Sequence, residues 1–344
     1  MNSTTQPLGV HLVGSIPLPS ASSVFTTIPS SLPNRLRRIP DGETGPRQLF
    51  GATQFAVFQL CPFVLRSFPK TYDSSTASKQ DGLPPTSGIK LLSTGYDDAA
   101  LGSYREFCLA RDQGHIPPGV RFQVSLPTPL TIVAVCIQPE YQIQCETLYN
   151  EQLILSLRRI QDEIPASDLA IQWDLPIEFA MLEDLSYPLF KPWFSPVSEG
   201  IVGRLAELAK AVDEDVELGF HFCYGDMDHA HFVEPKDISL MVQLARDLKK
   251  NVKRKIDWIH MPVPKDRTDE EFFLPLRDLE LESTELYLGL VHEGDEEGTR
   301  NRIEVAGRFV ERFGVATECG MGRTPEGELE GILRIEEAVS RPFV

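Results

Sequence analysis

His221-Phe222-Cys223 closes the apolar run Val216–Phe220, and Cys319, in Glu318-Cys319-Gly320, closes another at Phe313–Thr317. Side chains two apart on a strand share a face, so an extended 216–222 points His221 and Cys223 the same way. An imidazole and a thiolate that meet a second thiolate form a soft nitrogen/sulfur pocket, and zinc is its natural occupant. His-x-Cys alone has a plainer explanation, a packed core pair. What decides between them is where the other chemically capable residues fall.

The runs that must position these residues are short and regularly punctuated. Gly9–Val13 closes at Gly14-Ser15, and Pro17 and Pro19 forbid a long continuation. Leu36–Ile39 ends in the loop Pro40-Asp41-Gly42-Glu43-Thr44-Gly45-Pro46-Arg47. Val120, Phe122, Val124 and Leu126 alternate with Arg121, Gln123 and Ser125, a strand pattern stopped by Pro127-Thr128-Pro129. Leu169–Trp173 runs into Asp174, Ile256–Ile259 into His260 and Leu286–Val291 into His292. Helical spacing lies between them. It is carried by Leu153, Ile154, Leu157 and Ile160, then by Ile201, Leu205, Leu208 and Val212. It recurs at Ile238, Met241, Val242, Ala245 and Leu248, with Asp237 as N-cap, and again over 303–310. Thr324-Pro325 starts a last helix whose face is Leu329, Ile332, Leu333 and Val339. Residues 51–118 are irregular, and the Ser/Thr/Pro/Gly-rich part near 71–95 predicts a surface excursion.

Eight near-continuous apolar runs with intervening helices predict an α/β chain with a parallel sheet closed as a (β/α)8 TIM barrel. The expectation is one catalytic domain over 1–344, with 51–118 as a long insertion after the second strand. A doubly wound sheet is the competing architecture, but no Gly-x-Gly-x-x-Gly follows the first strand. Barrel chemistry sits at the C-terminal strand ends. Those ends carry Ser15, Asp41 with Glu43, Thr128, Asp174, His221 with Cys223, His260, His292, and Glu318 with Cys319. Ligand-capable residues at nearly every end predict a site.

Composition narrows the function classes. At 344 residues and 42% apolar the chain can bury a full core. A net charge of −17 argues against nucleic acid and anionic membrane surfaces as partners. No apolar run approaches the ~18 residues of a membrane span. Met1–Pro7 lacks the regions of a secretory signal, and six scattered cysteines show no disulfide framework, so a reduced cytoplasmic setting is expected. Cys61, Cys108, Cys136 and Cys145 read as buried thiols.

Gly14-Ser15-Ile16-Pro17, Asp41-Gly42-Glu43, Ile171-Gln172-Trp173-Asp174-Leu175-Pro176, His221-Phe222-Cys223-Tyr224 and Glu318-Cys319-Gly320 occur in the order seen in cobalamin-independent methionine synthases. The chain resembles the C-terminal catalytic barrel of that family, within the superfamily that includes uroporphyrinogen decarboxylase. The resemblance implies a zinc-bound thiol being alkylated. It implies His221, Cys223 and Cys319 as zinc ligands, with His260 in the place of the family's glutamate ligand, which leaves the site one charge less negative. Substrate contacts would fall on Ser15, Glu43 and Asp174, the two carboxylates holding an ammonium group, and His292 would be the proton donor.

In that scheme zinc lowers the pKa of a coordinated small thiol, a near-neutral His292 protonates the departing group, and Glu43 and Asp174 position the substrate. Competing structural roles stand beside each assignment. His260 can be a substrate or outer contact, His292 a structural donor, and Glu43 a salt-bridge partner of Arg47. His229 and His231 fit a solvated loop, and Tyr224 the barrel mouth. The expected function is a zinc-dependent methyl or alkyl transferase acting on a thiol or amino-acid-like small molecule. The alternatives are a lyase or decarboxylase on the same barrel, or a non-catalytic metal or small-molecule binder.

Overall fold

Parallel strands buried on both faces dominate a computed structural model of the chain, which describes residues 6–48, 51–66, 88–185, 190–225, 230–325 and 327–343. Among the described residues, seven strands follow one another in chain order across a single sheet: β1 (Arg38–Pro40), β2 (Arg121–Pro127), β3 (Leu169–Leu175), β4 (Glu217–Phe222), β5 (Trp258–Pro262), β6 (Glu285–Val291) and β7 (Gly314–Thr317). Every adjacent pair is parallel. The expected first strand is present as isolated bridges, because Gly9 turns to φ +74°, outside extended backbone. Val10 nevertheless bridges Leu36 on one side and Val315 on the other, and His11 N–H donates to the Val315 carbonyl at 2.9 Å. The sheet therefore curves back on itself in a TIM-like arrangement.

Helices cover the outside. They are α1 (Ala21–Ser31), α2 (Tyr96–Asp112), α3 (Pro129–Cys136), α4 (Gln142–Glu163), α5 (Pro176–Leu182), α6 (Val197–Lys210), α7 (Ser239–Asn251), α8 (Glu270–Phe273), α9 (Glu296–Ala306) and α10 (Leu329–Val339). Several sequence expectations are corrected here. Residues 96–112, read as part of an irregular insertion, form a helix packed between α1 and α4. Asp237 accepts from Ser239 N–H, but the N-cap position itself is Ile238. The helix expected over 303–310 begins earlier, where Asp295 accepts from Gly298 N–H. The last helix starts at Leu329, beyond Thr324-Pro325. Most of the expected 71–95 excursion, and His229, lie outside the described residues. No described helix is long and apolar enough to cross a membrane.

The largest core lies between sheet and helices, whereas Ala170, Trp258 and Tyr287 form a small cluster of their own inside the curved sheet. Two glycines make room for it. A Cβ on Gly219 would lie 2.0 Å from the Trp258 indole, and one on Gly314 would lie 2.5 Å from the Tyr287 ring. Below them Arg38 is buried against Glu217 (2.6 Å) and Glu285 (2.8 Å), with its guanidinium over Trp258. Strand register then sets Asp174 beside His221, His221 beside His260 and His260 beside Tyr287, one interior row across four strands.

Candidate metal centre at the C-terminal strand ends

His221 is the penultimate residue of β4 and Cys223 follows its last, so strand alternation puts both on the inner face. Cys319 arrives from the turn after β7, whose Thr317 hydroxyl donates to the Cys319 carbonyl at 2.7 Å. The two sulfurs lie 3.8 Å apart, and one ligand atom from each of the three residues falls within 4.8 Å of the others. Two thiolates on a tetrahedral ion with Zn–S bonds of ~2.3 Å are separated by about 3.8 Å, so the sulfur spacing already fits that geometry. His221 Nε2 is buried and has no hydrogen-bond partner, as a nitrogen that keeps its lone pair for an ion requires.

The electrostatics agree with that fit. Burial, with His260 and His11 nearby, holds the His221 pKa well below its ordinary value, so the ring is the neutral imidazole that metals bind. Sharing a hydrogen with Cys319, together with burial, pushes the Cys223 thiol well up, while Gly225 N–H points at its sulfur from 3.3 Å. Two such thiols give up their protons when a cation arrives.

His260 does not join the group. Because β5 runs Trp258–Pro262 rather than ending at Ile259, this residue lies inside the strand and is fully buried. Its Nδ1 is 2.8 Å from His221 Nδ1 and its Nε2 is 3.0 Å from the Thr317 carbonyl. With both of its nitrogens engaged, His260 stays outside the group, and the structure brings together three of the four expected residues, His221, Cys223 and Cys319.

The expected substrate contacts converge on the same cavity of ≈ 390 Å³, which Ser15, Glu43, Asp174, His221, Cys223 and Cys319 all line. Ser15 is locked to the Cys319 loop, since its Oγ accepts from Gly322 N–H at 3.1 Å and its carbonyl from Met321 N–H at 2.7 Å. Glu43 does not pair with Arg47. That guanidinium holds Asp41 at 2.6 Å, and Asp41 also takes the Glu43 N–H. Glu43 sits at φ +48°, a strained setting for a side-chain-bearing residue that recurs at functional sites. Burial, then Asp41, pushes its pKa up to about 8 against the opposing pull of Arg47 and Arg323. Burial, then Glu43, also raises Asp174 well above the carboxylate range.

His292 stands apart. It is not among the residues that line the cavity, its Nε2 donates to the Val263 carbonyl at 3.0 Å, and its Nδ1 faces Glu318 at 3.7 Å. Burial and Arg302 lower its pKa to about 3, which removes the near-neutral titration expected of a proton donor. His231, expected in a solvated loop, is largely covered and reaches Glu318 at 3.4 Å. Tyr224 is buried, its hydroxyl donating to Glu183. All six cysteines are free thiols, and Cys61, Cys136 and Cys145 are buried.

Gln172 is a residue beside the cavity that the strand pattern missed. Its amide nitrogen donates to Asp174 (2.8 Å) and to the Val13 carbonyl (2.6 Å), and its oxygen accepts from His11 (2.8 Å). The available signal was a lone amide in an apolar run, two residues before Asp174 and therefore on its face. Arg323 and Phe232 also line the cavity, from loops with no periodicity to read.

No family model matches the sequence, and no curated protein matches it either. Among solved structures, the chain is similar to a B12-independent methionine synthase from Shewanella sp. W3-18-1 in complex with selenomethionine. The identity is 16% and the TM-score 0.45, over 72% of this chain and 66% of that one.

Proposed function

We propose that this chain is a zinc-dependent enzyme that activates a small thiol for methyl or alkyl transfer. The observation that supports it most is the convergence of His221, Cys223 and Cys319, with sulfurs at 3.8 Å and an unpartnered buried imidazole nitrogen, on the wall of a ligand-sized cavity. Bound zinc supplies the positive charge that makes a thiol a thiolate near neutral pH. His221, Cys223 and Cys319 would hold the ion, and a substrate thiol would reach it from the cavity they line. Glu43 and Asp174 receive the ammonium of an amino-acid-like thiol, whose charge relieves the burial that raises both carboxyls. Val13, Val135, Ile177 and Phe232 exclude water from the rest of the cavity. The substrate sulfur, its thiol proton released to solvent, forms the new S–C bond as the donor's bond to that carbon breaks, and the leaving group departs with the electrons of that bond.

Metal content and turnover test the reading together. The wild type is expected to hold one zinc per chain and Cys223→Ala and Cys319→Ser almost none, with transfer lost in both. Addition of thiol to the cobalt-substituted protein is expected to shift its visible absorption. Product release from a single substrate without a methyl donor would instead establish a lyase, and zinc retention by Cys319→Ser would refute the centre.

A further inference from the structure

We infer that His260 is a positioning residue that fixes which nitrogen of His221 meets the metal, through a two-imidazole relay anchored on the Thr317 carbonyl. The inference rests on the metal-centre reading and extends it to a residue outside the ligand set. A carbonyl oxygen only accepts, so the 3.0 Å contact to Thr317 requires the proton on His260 Nε2. His260 Nδ1 then carries a lone pair, and the 2.8 Å bond to His221 Nδ1 takes its hydrogen from His221. One nitrogen of His221 remains, the buried and unpartnered Nε2, and it thereby keeps its lone pair. The arrangement is the metal–histidine–acceptor pattern that sets tautomer and ring angle in zinc sites, with a second imidazole in place of the usual carboxylate or carbonyl.

Two further contacts tie the relay to the rest of the centre. Thr317 serves both halves, since its carbonyl orients His260 while its hydroxyl holds the Cys319 carbonyl at 2.7 Å. One residue at the end of β7 thus sets the imidazole pair and the second sulfur together. The His11 and His221 rings pack on His260 with centroids 5.9 and 4.8 Å away, which restrains its rotation. Turning His260 to ligate an ion would break the bond to Thr317 or the bond to His221, leaving a buried polar atom unpaired.

Zinc affinity by chelator competition, in the full-length wild type, His260→Leu and His260→Gln, tests this without reference to turnover. Leucine removes both the acceptor and the donor and is expected to weaken zinc by about 10- to 100-fold. Glutamine offers a carbonyl oxygen to His221 and an N–H to Thr317, and is expected to recover affinity to within about threefold of wild type. X-ray absorption of the zinc-loaded wild type is expected to count one imidazole and two sulfurs. Two imidazoles, or unchanged affinity in His260→Leu, would overturn the inference. Long-range ¹⁵N–¹H spectra of histidine in the wild type keep the test independent of variant folding, with His221 expected protonated at Nδ1 and His260 at Nε2. The opposite pair of tautomers overturns the relay. A protein that shows the relay but takes up no zinc refutes the metal centre alone.

Discussion

Gly320→Ala is the sharpest probe of how the Cys319 loop is held, because it leaves every proposed ligand in place. A Cβ built on Gly320 would lie 2.4 Å from Ser15 Oγ and 2.9 Å from Ser15 N. The hydroxyl can rotate away, but the backbone nitrogen cannot, and ordinary contact begins near ~3.4 Å. The loop must therefore shift by roughly 0.5 Å, while metal–ligand bonds tolerate about 0.2 Å. Cys319 is the adjacent residue, so zinc affinity is expected to fall by at least ~10-fold. Overpacking should also cost about 1–3 kcal/mol of stability, plus about 1 kcal/mol if the Ser15–Gly322 hydrogen bond is lost. Chelator competition on the folded protein separates the affinity from the stability. Gly203→Ala, on α6 with nothing within 4 Å of the added carbon, is the control, expected to stabilise by up to ~1 kcal/mol with zinc binding unchanged. Wild-type zinc affinity in Gly320→Ala would show that the Ser15 contact does not position Cys319, and the argument would fail.

Two predictions concern carboxyls whose pKa burial raises. For Glu43, pushed up to about 8, the ligand-free carboxyl is protonated at neutral pH, so affinity for an amine-bearing thiol should rise with pH toward 8 and flatten in Glu43→Gln. Calorimetric titration across pH 6–9 reads this, and identical profiles would refute it. Glu336 on α10 is fully buried, neither carboxyl oxygen has a partner, and its pKa is raised from 4.5 to about 8 by burial. A raised acid contributes most below its unfolded pKa and loses that stability as pH climbs toward the folded value. Wild type should therefore lose about 3 kcal/mol between pH 4 and 7 that Glu336→Leu does not lose. Chemical denaturation at the two pH values checks the difference, and parallel pH dependence in both proteins would exclude it.

The outer logic of the fold was legible because parallel strands buried on both faces leave long apolar runs, and seven of the eight runs became strands in the expected order. Strand parity also paired His221 with Cys223, and the barrel expectation brought in Cys319 from 96 residues away. The placement of His260 differs from the expected strand end for a local reason. The apolar run spans 256–259, whereas β5 runs Trp258–Pro262, starting two residues later and ending three later. His260 therefore lies in the interior rather than at the rim, between His221 and the Thr317 carbonyl. The helix at 96–112 was hidden by the Ser/Thr/Pro-rich stretch before it, although Ala100, Leu101, Phe107 and Ala110 form its buried face. His292 was a sound strand-end candidate by type, but only three-dimensional packing reveals that burial, then Arg302, suppresses its charge.

The two ends of the curved sheet's interior differ in how charge is settled. At the N-terminal end burial opposes the charge on Arg38, but Glu285 and Glu217 outweigh it and keep the guanidinium protonated. That cation is fully answered and has no need of a ligand. At the C-terminal end the potential anions raise one another. Burial and Glu43 act on Asp174, while Cys319, burial and Asp174 act on Cys223. Gln172 offers Asp174 a neutral donor, which moderates the strain without removing it. A cluster of acids that suppress one another's ionisation is relaxed by cations, and the two on hand in the proposed reaction are a metal ion between the sulfurs and an ammonium between the carboxyls.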